Sequence, residues 1–347
     1  MIFFSIGLPG HFAAWCDAAI ARLVEIGLGP VELMSARSAD EIAVALIRST
    51  APHLVIASRQ PAPSLCTLLG DSGGPVIVAL DDPRRALRDL TSEQGIELRT
   101  AIREVACSSA AALVCARLPG AVTVQPGRDR RAAAGLISTL AQSCGLGLGD
   151  KELAGVAAAV SHPANSGPIE PWWSALDPDE RALADGALAA YVDQFRGGGF
   201  GEIVWDQTLF WLAADPSRHA AGAIDIGGDT GRLVYGPDIG LPPGDWAATV
   251  TLAVSREAAG IGFDIEVWAA YHHTPLARAS VIADARGLCS ATLSFGIAAP
   301  TAQTISFSIA NTAPAPGGRL ALGKVTLAPS RGDGSDIPSE LSMVLGL

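Results

Sequence analysis

Positive charge is scarce in this sequence. It has 24 lysines and arginines against 35 aspartates and glutamates, a net charge of −11. That balance excludes the basic surface on which nucleic-acid binding depends. The densest cationic run, GRDRR at residues 127–131, reads as a solvated loop. Also missing are an H-E-x-x-H motif and a Walker lysine, so no zincin or nucleotide-kinase signature is present, and GDSGGP at residues 70–75, which has the letters of a serine-nucleophile loop, lacks the matching His and Asp contexts. The six cysteines (Cys16, Cys66, Cys107, Cys115, Cys144, Cys289) form no Cys-x-x-Cys pair and show no metal-ligand spacing. They sit among Ala, Leu and Val and read as buried free thiols, so neither a disulfide framework nor a bound metal is expected. No apolar run is long enough to cross a membrane, and the opening MIFFSIGLPG lacks a basic leader segment and is broken at Pro9 and Gly10. The expectation is a cytoplasmic protein without membrane insertion, with the surface of an exported particle as the alternative.

What is present is a globular chain of 347 residues, 49% hydrophobic and only 17% charged, long enough for two cores. Two textures divide it. The first part alternates continuous apolar runs (MIFFSIG, HLVIASR, PVIVALDD, GAVTVQP) with helical patterns at 13–26, 39–49, 97–117, 131–145 and 178–195. Apolar runs between helices predict a parallel sheet buried on both faces. From residue 223 the pattern changes to short alternating runs separated by Gly, Pro and Asn, among them DWAATVTLAVS, GFDIEVWAAY and RLALGKVTLAP. This predicts an antiparallel β-sandwich of jelly-roll type. The expected organisation is an α/β domain over 1–200, a bridge over 201–222, a sandwich over 223–330 and a tail over 331–347.

Three stretches of the first part resemble the sulfotransferase fold, an α/β relative of the P-loop kinases whose donor is PAPS. In GLPGHFAAW, residues 7–15, Pro9 and Trp15 match the family pattern. The resemblance implies a phosphosulfate loop here, yet Gly10 stands at the lysine position, His11 and Phe12 at a Ser/Gly pair, and Ala13 and Ala14 at two hydroxyl positions. In VIVALDDPRRALRDL, Pro83 and Arg84 match. Asp81 and Asp89 stand where the family's arginine and serine would grip the 3′ phosphate. In NSGPIEPWW, residues 165–173, Trp172 matches, but Asn165 and Ser166 stand in place of a cationic pair. Scaffold residues are kept and ligand contacts are lost, so the resemblance implies a pseudoenzyme with no catalytic residue and no cofactor. Active transfer from PAPS is the alternative. Asp81, Asp82 and Asp89 together are weighed as a cation site and His11 as a catalytic group, each against a plain surface role.

The second part is similar to β-sandwich carbohydrate-binding modules and to the YGPYI-LPPG domains of bacterial proteins that handle surface glycans, on the run VYGPDIGLPPGDWAATVTL. Sugars are held by aromatic faces and planar polar groups. The candidates are Tyr235, Asp238, Trp246, Trp268, Tyr271, His272, His273 and Asn311. A core role is weighed for Trp246 and Trp268. Together these features predict a non-catalytic protein that binds a cell-surface or capsular polysaccharide through its sandwich, with the α/β domain as a platform. The alternatives are an active transferase on a bacterial glycan and a structural subunit of a homo-oligomer or larger assembly.

Overall fold

A computed structural model describes residues 1–126, 130–160, 167–270 and 272–330. The described chain divides into two compact units, one holding Met1–Leu176 with Pro300–Ala302, the other Asp177–Ala299 with residues 303–330.

The first unit is built on five parallel strands: β1 (Ile2–Gly7), β2 (Val31–Ser35), β3 (His53–Ser58), β4 (Val76–Ala79) and β5 (Ala121–Val124), in the order β2-β3-β1-β4-β5. The four apolar runs are β1, β3, β4 and β5, and in the central three nearly every residue is buried, as expected where helices cover both faces. Strand β2 has no such run. It lies at the sheet edge, with Glu32 and Leu33 exposed, which lets a charge sit in mid-strand. Helices α1 (His11–Leu28), α2 (Ala39–Arg48), α3 (Pro63–Asp71), α4 (Pro83–Arg88) and α5 (Leu98–Cys115) connect the strands, and α6 (Arg130–Ser143), α7 (Asp150–Ala159) and α8 (Glu170–Ala175) follow.

Local chemistry sets the helix starts. Ser38 accepts the Glu41 N–H at 3.2 Å to open α2, and Asp82 accepts the Arg84 N–H at 3.0 Å to open α4, with Pro83 in the first helical position. Helix α1 is different: its cap residue is Gly10, which has no side chain to offer. Phe12, Trp15, Cys16, Ile20, Leu23 and Val24 of α1 pack with Phe3, Val55, Ile77 and Val124 of the sheet. In the order β2-β3-β1-β4-β5, the chain passes from β3 over β1 to β4. The carboxyl ends of β1, β3 and β4 therefore border a topological switch point, where open α/β sheets form their crevice.

The second unit opens with α9 (Pro178–Phe195), a helix that the sequence reading placed in the α/β half. It packs on β6 (Ile203–Trp205), where Gly186 lies so close to the Val204 carbonyl that a Cβ would come within 2.8 Å of it. The Tyr191 hydroxyl donates to the Gly240 carbonyl. One sheet has the order β13-β12-β15-β10-β7-β8, made by β13 (Ala277–Ile282), β12 (Gly262–Ala269), β15 (Gln303–Asn311), β10 (Gly231–Leu241), β7 (Trp211–Leu212) and β8 (Asp215–His219). The other runs β14 (Gly287–Ile297), β11 (Gly244–Val254), β16 (Arg319–Pro329) and β6, with β9 (Ile224–Asp225) paired to β16. Alternation is clean: Trp246, Ala248, Val250, Leu252 and Val254 of β11 point inward, as do Phe263, Ile265 and Val267 of β12.

Residues 201–222 are not a bridge. They supply β6, β7 and β8, and Ile203, Trp205, Leu209 and Phe210 are fully buried in the sandwich unit. They are therefore core residues, which corrects the expectation of a linker there.

Candidate functional site

Two arrangements in the molecule have the character of sites. One lies at the carboxyl rim of the parallel sheet, the other on the outer face of the six-stranded sheet.

At the rim, β1 ends in Gly7 and the turn Leu8–Pro9–Gly10 leads into α1. Gly7 is required: a Cβ there would fall 2.8 Å from the Ala13 Cβ and 2.9 Å from the Ala79 carbonyl oxygen. The start of α1 that this turn leads into is met by a carboxylate from within the chain. The His11 N–H donates to Asp89 Oδ2 at 3.1 Å, so a buried carboxylate caps α1 where an external anion would lie. The other oxygen, Oδ1, accepts from Arg88 Nε at 3.1 Å and Nη2 at 2.7 Å. Arg88 in turn donates from Nη1 to the Gly167 carbonyl at 3.1 Å.

The remaining sequence candidates of this loop divide by burial. Phe12 and Ala13 are core residues, while Ala14 is exposed. Asp81, at the end of β4, accepts the Asp82 N–H at 2.8 Å and faces Arg85 Nε at 3.6 Å. Burial pushes its carboxyl up to about 6, against the downward pull of Arg85 and the Asp82 amide. Asp82 caps α4 and pairs with Arg84. Asp81, Asp82 and Asp89 thus each serve a separate structural contact and do not gather as a shared cation site. Asn165 and Ser166 lie outside the described residues.

His11 reaches across to a residue that the sequence did not point to. Its Nε2 lies 2.5 Å from Glu93 Oε2, and both side chains are about half exposed. Asp89 and Glu93 stand at the two ends of a single π-helical turn, Asp89–Glu93, that prolongs α4. A cavity of about 320 Å³ opens beside them, lined also by Pro9, Gly10, Arg59 and Gln94. A second cavity of about 450 Å³ lies at the ends of β2 and β3, with Arg37, Ser58, Arg59 and Glu104 in its wall. Arg59 borders both and pairs with buried Asp17.

On the sandwich, the outer face of the six-stranded sheet carries the unabsorbed aromatic residues. The Trp211 ring of β7 stacks on Tyr235 of β10 with centroids 5.5 Å apart and planes 24° apart, and on His219 of β8 at 6.4 Å and 27°. All three are part-exposed. Gly236 makes this possible: its φ is +113°, and a Cβ would come within 2.8 Å of the Trp211 ring. Register continues the row. Tyr235 is opposite Ser308, Ser308 is opposite Glu266, and Glu266 is opposite Arg278. One pleat along β12, Trp268 lies on the same face, donating from Nε1 to Glu266 Oε2 at 3.1 Å. Asp264 accepts from Arg278 at 2.6 Å and Ser280 at 2.5 Å.

Of the sequence candidates, Tyr235 and Trp268 share this face. Asp238 is exposed and takes a left-handed φ of +59°. His272 and His273 are exposed in the turn after β12, and Tyr271 lies outside the described residues. Two candidates are corrected. Trp246 is 2% exposed, donates to the Pro242 carbonyl at 3.2 Å and meets Phe200 edge-on, so it is a core residue. Asn311 is buried and spends its amide on the chain, accepting from the Gly231 N–H at 3.0 Å and donating to the Ala313 carbonyl at 2.9 Å. Trp211 and His219 were missed because their segment reads as a bridge. The local signal was the aromatic pair Phe210–Trp211 followed by a turn.

No protein-family model matches the chain, and no curated protein matches it. Among solved structures, the chain is similar over part of its length to the insecticidal delta-endotoxin Cry8Ea1 from Bacillus thuringiensis (11% identity, TM-score 0.23, 29% of this chain and 18% of that one). It is similar to a cyclase from Fischerella sp. TAU (14% identity, TM-score 0.23, 38% and 76%). It is also similar to the C-terminal CBM6 of LamC, a marine laminarinase from Zobellia galactanivorans (10% identity, TM-score 0.21, 31% and 98%). The chain spans less than a fifth of the endotoxin chain.

Proposed function

We propose that this protein is a non-catalytic glycan-binding protein whose sandwich takes an oligosaccharide on the outer face of the six-stranded sheet. One observation carries the reading: the stacked, part-exposed Trp211–Tyr235–His219 row with Trp268 on the same face. Part-exposed rings on the outer face can offer a face or an edge to the C–H surface of a sugar ring. Ser306, Glu266 and Arg278 on that face supply donors and acceptors for hydroxyls. A cell-surface or capsular polysaccharide is the substrate class we favour, because a row of rings across several strands suits a chain of sugars better than a single one.

The α/β unit is, in this reading, a degenerate sulfotransferase-like platform. What supports it is Asp89, which occupies the anion seat of the β1–α1 turn with its own negative charge. A PAPS phosphate would have to displace a buried carboxylate already paired with Arg88.

Calorimetric titration and glycan-array screening of the whole chain test the proposal. Binding to at least one bacterial surface polysaccharide is expected, weakened about tenfold or more in Trp211→Ala and in Trp268→Ala, a loss on the scale of one aromatic contact. Binding that is equal in both variants and the wild type, or no binding across the array, would overturn it. Adenosine 3′,5′-bisphosphate is expected to give no heat; a saturable isotherm would favour the transferase alternative instead.

A further inference from the structure

The rim cluster of the α/β unit is independent of the sandwich face, and its chemistry is different. We infer that His11, Asp89 and Glu93 form a binding site for a divalent transition-metal ion of zinc type.

The donor set comes first. Each of the three residues offers one ligand atom, and these atoms all lie within 4.8 Å of one another. An imidazole nitrogen with two carboxylate oxygens suits zinc, cobalt or nickel. Calcium and magnesium prefer all-oxygen shells with more ligands.

Geometry is next. Zinc–nitrogen and zinc–oxygen bonds of about 2.1 Å at a tetrahedral angle put adjacent ligand atoms roughly 3.4 Å apart. His11 Nε2 and Glu93 Oε2 are 2.5 Å apart, so an entering ion replaces their hydrogen bond and opens the pair by about 1 Å. Both side chains are close to half exposed and are free to make that adjustment.

Asp89 has the opposite character. It is buried, and its orientation is set by partners on both sides: Arg88 grips Oδ1 and the His11 N–H meets Oδ2. Outer partners that fix a ligating carboxylate in this way are a general feature of metal sites. Oδ2 has a further lone pair and lies on the side of His11. The backbone supports the same convergence: the π-helical turn presents Asp89 and Glu93 together toward the first turn of α1. Charge agrees as well. Asp89 and Glu93 contribute two negative charges, Arg88 offsets one, and neutral imidazole adds none, so a dication is welcome.

Three protein ligands leave at least one coordination position. The cavity of about 320 Å³ beside the cluster has room for water or a small anionic ligand there, with Arg59 in its wall. An ion at this position would give the rim an open, solvent-facing Lewis-acid centre.

The test uses the full chain, stripped with chelator and titrated with zinc by calorimetry and with cobalt by visible absorption. One equivalent of zinc is expected to bind, and cobalt is expected to produce ligand-field bands that zinc displaces. His11→Ala and Glu93→Gln are each expected to weaken zinc at least tenfold and abolish the cobalt bands. Both positions are exposed, so these variants keep the fold, which circular dichroism checks. The double variant His272→Ala/His273→Ala, altered on the sandwich, is expected to bind zinc as the wild type does. No stoichiometric uptake, or uptake that survives both His11→Ala and Glu93→Gln, would overturn the inference.

Discussion

At the scale of single residues, two aspartates a few positions apart illustrate how burial assigns different roles to one side-chain type. Asp89 is satisfied on both oxygens by Arg88 and the α1 amide, so its charge holds an element together. Asp89→Asn leaves the buried Arg88 guanidinium without its counter-charge and is expected to cost about 3–5 kcal/mol in urea unfolding. Asp81 is buried with weaker compensation, and its carboxyl is raised from 3.8 to about 6. The folded state therefore holds that proton more tightly than the unfolded chain. Its contribution is most favourable below about pH 4 and is lost as pH rises through about 6. Asp81→Asn removes this dependence. The stability difference between wild type and variant, measured from pH 4 to pH 7, is expected to swing by on the order of 3 kcal/mol toward the variant. A flat difference would show that Asp81 is ionised at no cost.

At the scale of elements, glycines and short strands decide what the apolar pattern alone cannot. Gly7 allows α1 to start against β4, and Gly7→Ala is expected to destabilise the α/β unit by about 1–3 kcal/mol through overpacking against Ala13 and the Ala79 carbonyl. Gly236 plays a comparable part under Trp211. Gly236→Ala combines a left-handed φ with a ring collision, so it is expected to displace the indole and change its fluorescence, besides lowering stability. Strand β6 has only three residues, yet Trp205 is fully buried and meets Phe307 edge-on at 5.8 Å. Trp205→Ala is expected to cost about 3–5 kcal/mol in the sandwich unit. A loss under 1 kcal/mol, read by chemical denaturation, would contradict the place of β6 in that core.

At the scale of the whole molecule, the class of each half was legible from residue pattern. Continuous apolar runs such as HLVIASR can be buried on both faces only in a helix-covered parallel sheet, and alternating runs such as DWAATVTLAVS only in a sheet with one wet face. The strand runs β1, β3, β4, β5 and β10 to β16 follow from these periods, and so do the longest helices. Strand β2 was not legible, because an edge position removes the demand for apolar residues. Strands β6, β7 and β8 are two to five residues long, too short for any period, and partners distant in sequence define them; β6, for example, pairs with β16. That the β1–α1 turn, Gly7 to Ala14, holds no Lys, Arg, Ser or Thr was legible too, directly from its residues.

What the amino-acid sequence determined by itself was everything that depends on neighbours along the chain: periodicity, caps, turns and the scarcity of positive charge. Tertiary structure decided which distant side chains meet. Asp89 and Glu93 stand 78 and 82 residues from His11, and only the order β2-β3-β1-β4-β5 brings the end of β4 beside the end of β1. Trp211 meets Tyr235 only because β7 pairs with β10. Side-chain convergence of this kind depends on which strands become neighbours, and that choice is made by burial of the whole core, not by any local run of residues.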